Sequence, residues 1–495
     1  MQRAVWRAAT ALACAVALGA AANAEEEKTE GPFASAWTVP DEGCKPSGGL
    51  RAAEELPGAS LVFLFEPGAV IDAKHADSIR RFVPKEVWDN RERFFYDGMR
   101  LEIGPCFRDY APPAFFDAAT EKFRGQAKLG EAGGLQDYGA GLPFAPDTID
   151  PKDPQAGQRW AWNVEQRYQG AGLRGRFRVT DLLGRVGHGD PFEGEIFEMR
   201  LAHRADLAER KYRVPFFNGK SWVAGGVLHA PAAAKDYAWR QYRDEESLGD
   251  AARLDDLHAF LPEWRRVRRL PAPQVEGLYM PSFRVGVAPA QNLSIVEAGG
   301  EPDRAAPDGG TTLETKRSGF EGLVLRPLLW SYRVAGVADL LAPINVEASL
   351  WPDDEERSFG PWGVSFASDR WELRRTLAIE GAIQGEPRER GESRLMLYVD
   401  LQTLAPLYSV SWDAKDRVID VGVFAGRWSE DRGDYPKWPD DPQRPVRVID
   451  SVAAAFANLG TAGSWRRESW EIVSLPPPDE ELQRMNGLTG LGQDH

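Results

Sequence analysis

The sequence predicts a mainly β protein with a few helices (β+α), built around one large antiparallel sheet. From about residue 135 to 475, strand-length pieces recur with Gly, Pro or charged turns between them. Long helical stretches between those pieces are scarce, which favours an antiparallel meander over βαβ units. Hydrophobic residues make up 43% of the chain and Trp alone numbers 17, so a sizeable core is available and a disordered chain is excluded.

Taken in order, residues 1–24 read as a secretory signal. Arg3 and Arg7 give a positive start, Ala8 to Ala22 a short apolar run, and Ala22-Asn23-Ala24 a small-x-small cleavage pattern. Glu25, Glu26 and Glu27 follow at once, so the run is too short and wrongly flanked to anchor in a membrane. Cleavage is expected after Ala24, giving an exported periplasmic protein that starts near Glu25. The alternative is lipidation at Cys14, since Ala11-Leu12-Ala13-Cys14 loosely resembles a lipobox.

Residues 25–134 are expected to form an irregular and helical segment packed on the sheet, because they lack enough apolar sequence for a core of their own. Within it, Leu61 to Phe65 reads as a buried strand. Pro84 to Phe95 reads as a helix with Pro at its first turn, and residues 114 to 128 as a second. Strands are expected at Arg174 to Thr180, Gly194 to His203, Tyr237 to Tyr242, Glu321 to Leu329, Trp371 to Glu380, Arg394 to Leu401, Ala405 to Trp412 and Val418 to Phe424. In Arg394 to Leu401 the period is plainly two, with Leu395, Leu397, Val399 and Leu401 on one face. The Ala-rich stretch Ser451 to Leu459 is expected to be a short helix, and 476–495 a polar tail.

Charge excludes whole classes of partner. The formal net charge is −15, and loss of Arg3 and Arg7 with the signal makes it −17, which disfavours nucleic acid and anionic membrane surfaces. No later stretch approaches the 18 apolar residues of a membrane span. Removing Cys14 with the signal leaves Cys44 and Cys106, which in an oxidising compartment are expected to bridge; the alternative is two separate buried thiols. No metal site and no cofactor are expected. The six histidines show no ligand spacing, and G-x-S-x-G, H-E-x-x-H and P-loop patterns are missing. Asp353-Asp354 and Asp440-Asp441 read as solvated loop acids.

Several longer strings point to a family. Phe94 to Gly104 (FFYDGMRLEIG), Gly141-Leu142-Pro143-Phe144, Trp160-Ala161-Trp162-Asn163, Trp264 to Pro271 (WRRVRRLP), Ser358 to Gly363 (SFGPWG) and Arg370 to Arg374 (RWELR) together resemble the exported domain of unknown function family 1329. The resemblance runs from about residue 80 to 440. It implies a relative of the periplasmic lipoprotein carriers typified by LolA and LolB, with a strongly curved sheet, an open half-barrel, and helices covering its mouth. It further implies envelope transport of a hydrophobic cargo, with resistance-nodulation-division (RND) type exporters and outer-membrane proteins as partners.

On that expectation, 135–475 is the LolA-like β domain and its concave side is an apolar wall. Trp162, Phe177, Phe197 and Trp371 are assigned to the wall, because flat apolar side chains suit acyl chains. Trp160, Trp239, Trp330 and Trp362 share the choice between lining and ordinary packing. Arg265 and Arg268 of the Arg-rich block are placed at the rim or at a partner surface, where forked guanidiniums grip anionic groups. The alternative for that block is a solvated strand paired with Asp255, Asp256 or Glu263. The function expected is a non-enzymatic carrier or chaperone for a hydrophobic or lipid-like molecule. The rivals are a docking subunit of an exporter or outer-membrane protein, and a hydrolase with scattered catalytic residues.

Overall fold

The structure, a computed structural model, describes residues 37–39, 44, 66–183, 187–188, 191–262, 265–270, 278–279, 325–352, 357–384, 392–429, 449–458, 464–473 and 477–487, with short pieces at 283–286, 294–295, 312–314, 319–320 and Leu491. The expected signal and the expected strand at Leu61 to Phe65 lie outside the described residues.

Sixteen strands form one large mixed sheet that is not closed. In chain order they are β1 (Val70–Ile71), β2 (Leu101–Ile103), β3 (Gly172–Leu183), β4 (Gly187–His188), β5 (Phe192–Arg200), β6 (Lys220–Ala230), β7 (Ala238–Asp244), β8 (Asp256–Leu261), β9 (Arg266–Leu270), β10 (Trp330–Ala342), β11 (Arg370–Ile383), β12 (Glu392–Asp400), β13 (Pro406–Asp413), β14 (Val418–Trp428), β15 (Ile449–Asn458) and β16 (Ser464–Val473). Two antiparallel meanders, β3 to β9 and β10 to β16, are joined where β16 pairs with β3 along Ser464↔Leu183 to Val473↔Arg174. The exception to antiparallel pairing is β2, which lies parallel to the start of β11.

Period-two alternation gives the sheet two distinct faces. The first face carries Phe177 of β3, Trp470 of β16, Phe456 of β15 and Ile379 of β11. Helix α4 (Ala156–Glu165) covers its β10–β12 end. The helix lies so close that a Cβ on Gly157 would come within 2.3 Å of the Arg333 backbone, so glycine is required there. The second face carries Tyr408, Val423 and Ala455 and is covered by the N-terminal segment, including α1 (Lys85–Asp89) and α2 (Arg91–Phe94). That segment shares one core with the sheet and adds β1 and β2 to its edge. The second expected helix is α3 (Ala114–Lys122).

Two of the sequence-matched strings meet here. The Asn163 side chain of α4 accepts from the Phe144 amide at 3.0 Å and donates to the Phe144 carbonyl at 2.7 Å. The GLPF turn is thus bound to the WAWN helix as one strand binds another.

Two expectations are corrected. Ser451 to Leu459 is not a helix but lies mostly in β15. Val452, Ala454 and Phe456 point to one face and Ala453, Ala455 and Ala457 to the other. With both faces packed, burial overrides the helix preference of alanine. Of the expected strand Glu321 to Leu329, residues 321–324 lie outside the described residues, and Pro327–Leu329 form a 3-10 turn, where Pro327 has no amide to offer a ladder. Within the stretch read as a polar tail, α5 (Asp479–Asn486) seats Leu482 in the second face beside Phe197, and Glu481 pairs with Arg174 at 2.5 Å.

Candidate functional site

An aromatic cluster lines the first face of β3 and β5 to β8, with β16 beside it. Phe177, Trp222, Trp239, Tyr237 and Trp470 are all essentially fully buried there. The register explains how so many rings fit. Phe177 stands opposite Gly194, Ile196 opposite Gly226, and Gly226 opposite Trp239. Glycines therefore alternate with large side chains across the strands. A Cβ on Gly226 would come within 2.5 Å of the Trp239 indole, so that ring lies directly over the bare backbone. Phe177 and Trp239 meet edge to face at 6.4 Å between centroids.

Strand β7 then turns this surface from apolar to ionic in three steps, because Trp239, Gln241 and Arg243 alternate onto one face. The Arg243 guanidinium lies over Trp222 at 4.7 Å and donates to Asp255 at 3.1 Å and to Glu165 of α4 at 3.3 Å. Gln241 donates to Asp255 at 2.6 Å and accepts from the Tyr279 amide at 3.0 Å. Arg326 also donates to Asp255, and the Leu325 amide donates to Glu165 at 2.6 Å. Arg200 joins Glu198 at 2.9 Å and Glu165 at 3.8 Å.

These charges are buried, so each carboxylate reflects a contest between desolvation and its partners. Burial pushes the Asp255 carboxyl up, but the guanidiniums of Arg243 and Arg326 win and hold it at about 2. It is a fixed anion at any physiological pH. Burial pushes Glu198 up despite Arg200. Burial pulls Arg167 down to about 10. The apolar cluster thus ends in fixed guanidinium, amide and carboxylate groups.

The four expected wall aromatics do not form one surface. Phe177 is in the aromatic face just described. Phe197 points to the opposite face, under α5 and beneath the Arg240 guanidinium at 4.8 Å, because odd positions of β5 alternate away from Phe192 and Ile196. Trp162 is on α4, not on a strand, and its indole donates to the Gly133 carbonyl at 2.8 Å. Trp371 packs under the N-terminal segment against Phe95 at 6.0 Å, donating to the Phe366 carbonyl at 2.7 Å. Arg265 sits in the turn between β8 and β9, and Arg268 in β9, both exposed at the sheet's end. Of the acids weighed as their partners, Asp256 pairs with Arg269 at 2.6 Å, whereas Asp255 is buried with Arg243. Cys44 and Cys106 are joined, with Cα atoms 5.0 Å apart.

Sequence reading had named Trp239 as one of several ambiguous tryptophans and missed Trp222, Trp470, Glu165 and Arg243. The available signal was WRQYRD in β7, whose alternation carries a tryptophan, an amide and a guanidinium to one face. Among the described residues, no group of His, Cys, Asp or Glu is arranged to hold a metal ion. No described helix is long and apolar enough to cross a membrane.

Residues 70–282 match the family described as "Protein of unknown function (DUF1329)". That stretch includes the strings at 94–104, 141–144, 160–163 and 264–271, while those at 358–363 and 370–374 lie beyond it, so the match is shorter than the resemblance expected. The chain is similar to a solved DUF1329 family protein from Desulfovibrio piger at 12% identity and a TM-score of 0.37, covering 69% of this chain and 99% of that one. It is also similar to a domain assigned to outer membrane lipoprotein sorting from Vibrio parahaemolyticus, at 13% identity and a TM-score of 0.34, covering 68% and 100%. A LolA superfamily protein from Nitrosomonas europaea is a third, at 9% identity and a TM-score of 0.28, covering 64% and 92%. No curated protein matches the chain.

Proposed function

We propose that this protein is a periplasmic carrier that takes up a hydrophobic or lipid-like molecule without covalent chemistry. The observation that carries this reading is the aromatic face of Phe177, Trp222, Trp239 and Trp470, which ends in the buried Gln241–Arg243–Asp255 cluster. Apolar burial at about 25 cal/mol per Å² supplies the free energy of uptake. The polar end fixes which end of an amphiphile enters. The rings are buried within the chain itself, in part by Leu278 and Tyr279. Cargo therefore replaces protein contacts with its own, which keeps net affinity moderate and release possible.

Native mass spectrometry of protein purified from its host is expected to show a co-purified lipid-sized adduct. Brominated fatty acids and phospholipids are expected to quench tryptophan emission, and Trp239→Phe to reduce that quenching. A bare mass together with no quenching across a broad lipid panel would overturn the reading. A second reading is docking to an exporter or outer-membrane protein. It is favoured by β9 and the turn before it, where Arg265, Arg266, Arg268 and Arg269 are exposed around a 40%-exposed Val267. Arg265→Glu with Arg268→Glu would abolish such docking and spare lipid uptake.

A further inference from the structure

A second polar site lies on the opposite face of the same strands, away from the aromatic surface. Here β16 presents Arg467, Ser469 and Glu471, and β3 presents Arg176, Arg178 and Thr180. The register sets Ser469 opposite Arg178 and Arg467 opposite Thr180, so the two guanidiniums are diagonal neighbours across an antiparallel pair. Residues from 349–352 and from the SFGPWG string at 358–363 cover them. The Trp351 ring lies 4.0 Å from the Arg176 guanidinium and 5.2 Å from that of Arg178. The Phe359 ring lies 3.9 Å from that of Arg467. The start of this stretch is held down: Ser349 donates to Glu471 at 2.9 Å, and the Leu350 amide donates to Ser451 at 3.1 Å.

Arg467 differs from its two neighbours in how it is partnered among the described residues. Arg176 pairs with Glu471 at 2.5 Å and Arg178 with Glu193 at 2.6 Å. Arg467 donates to the Gly363 carbonyl at 2.9 Å but has no carboxylate within ion-pair distance among the described residues. Its Nε is buried with no hydrogen-bond partner, and so is the hydroxyl of Ser469, a residue with 0% exposure. Buried polar atoms are nearly always satisfied, so orphaned donors beside an uncompensated cation mark a place for an acceptor. Burial, and then the nearby Arg178 charge, pull the Arg467 guanidinium down to about 10.

We propose that Arg467, Arg178 and Ser469, roofed by Trp351 and Phe359, form a binding site for a phosphate group. Guanidinium forks match phosphate oxygens in pairs, and the serine hydroxyl supplies a further donor. Because it faces away from Phe177 and Trp239, the site stands independently of the carrier reading. The same chemistry serves a free phosphate compound or a phospholipid headgroup at a membrane surface.

The test is titration of the full chain with inorganic phosphate, followed by calorimetry and thermal melting, against sodium chloride at matched ionic strength. Phosphate is expected to bind saturably and raise the melting temperature, with binding weakened at least tenfold in Arg467→Gln and clearly in Ser469→Ala. Arg269→Gln, on the exposed end strand, should bind as wild type does. In phosphate-free buffer Arg467→Gln should melt no lower than wild type, since it removes an uncompensated charge. Displacement of phosphate by dihexanoyl phosphatidylglycerol assigns the site to headgroups. Phosphate binding that this lipid does not displace assigns it to free phosphate compounds. A phosphate effect no larger than chloride's, or one undiminished in both site variants, would overturn the proposal.

Discussion

Glu372 shows how a single buried carboxyl ties stability to pH. It lies on the second face, where the Tyr110 hydroxyl donates to it at 2.7 Å and Arg374 stands 3.8 Å away. Burial outweighs both and pushes it up to about 7 from an ordinary 4.5. The folded protein therefore holds a proton that the unfolded chain has lost between pH 4.5 and 7. Stability from this group is fully present below pH 4.5 and is lost as pH rises towards 7. Glu372→Gln keeps the acceptor for Tyr110 without the charge. It should therefore gain stability over wild type above pH 7, by about 3 kcal/mol, and match it near pH 4. Urea melts at pH 4.5 and 8 check this, and equal differences at both would refute it. Asp255 runs the other way: its stabilisation is present above an ordinary 3.8 and fades only as pH falls towards 2. None of this was legible in the sequence. The RWELR string shows alternation, but not that Glu372 meets a tyrosine from residue 110 or that Arg374 takes Asp400 at 2.8 Å as its main partner.

At the scale of elements, the aromatic face depends on glycines as much as on rings. Gly226→Ala sets a methyl group against the Trp239 indole and within 2.6 Å of the Glu195 carbonyl, so strand and ring must separate. The expected cost is about 1–3 kcal/mol, with altered near-ultraviolet circular dichroism and weaker lipid quenching. An unchanged melting temperature would show that the ring moves freely. Strands were the most legible part of the fold, because alternation such as Leu395, Leu397 and Val399 follows directly from one buried face. β15 was not legible for the same reason: burial on both faces erases alternation and leaves only alanine's local preference. Wall membership failed similarly. Phe177 and Phe197 are both buried strand aromatics, and only the pairing of β3 with β5 reveals that they point in opposite directions.

Across the whole molecule, the N-terminal segment acts as a cover for the second face. Its attachment is apolar, through Trp88, Phe95 and Leu101, and the Cys44–Cys106 bond ties the segment's own two ends together. Replacing both cysteines with serine frees the long intervening stretch in the unfolded chain and should lower stability by about 3–4 kcal/mol. Chemical denaturation measures the loss, and peptide mass mapping without reductant checks the bond itself. Limited proteolysis should release no stable fragment spanning 25–134, because that segment completes a core held mostly by the sheet. The pairing of β16 with β3 carries a further consequence, one of timing. The seam joining the two meanders is made by strands nearly three hundred positions apart, so the ribosome must deliver almost the entire polypeptide before the centre of the sheet can zip. Until then β3 waits with an open edge that any other extended chain can occupy. A version ending at residue 463 should therefore accumulate as insoluble aggregates, although it keeps every residue of the aromatic face except Trp470.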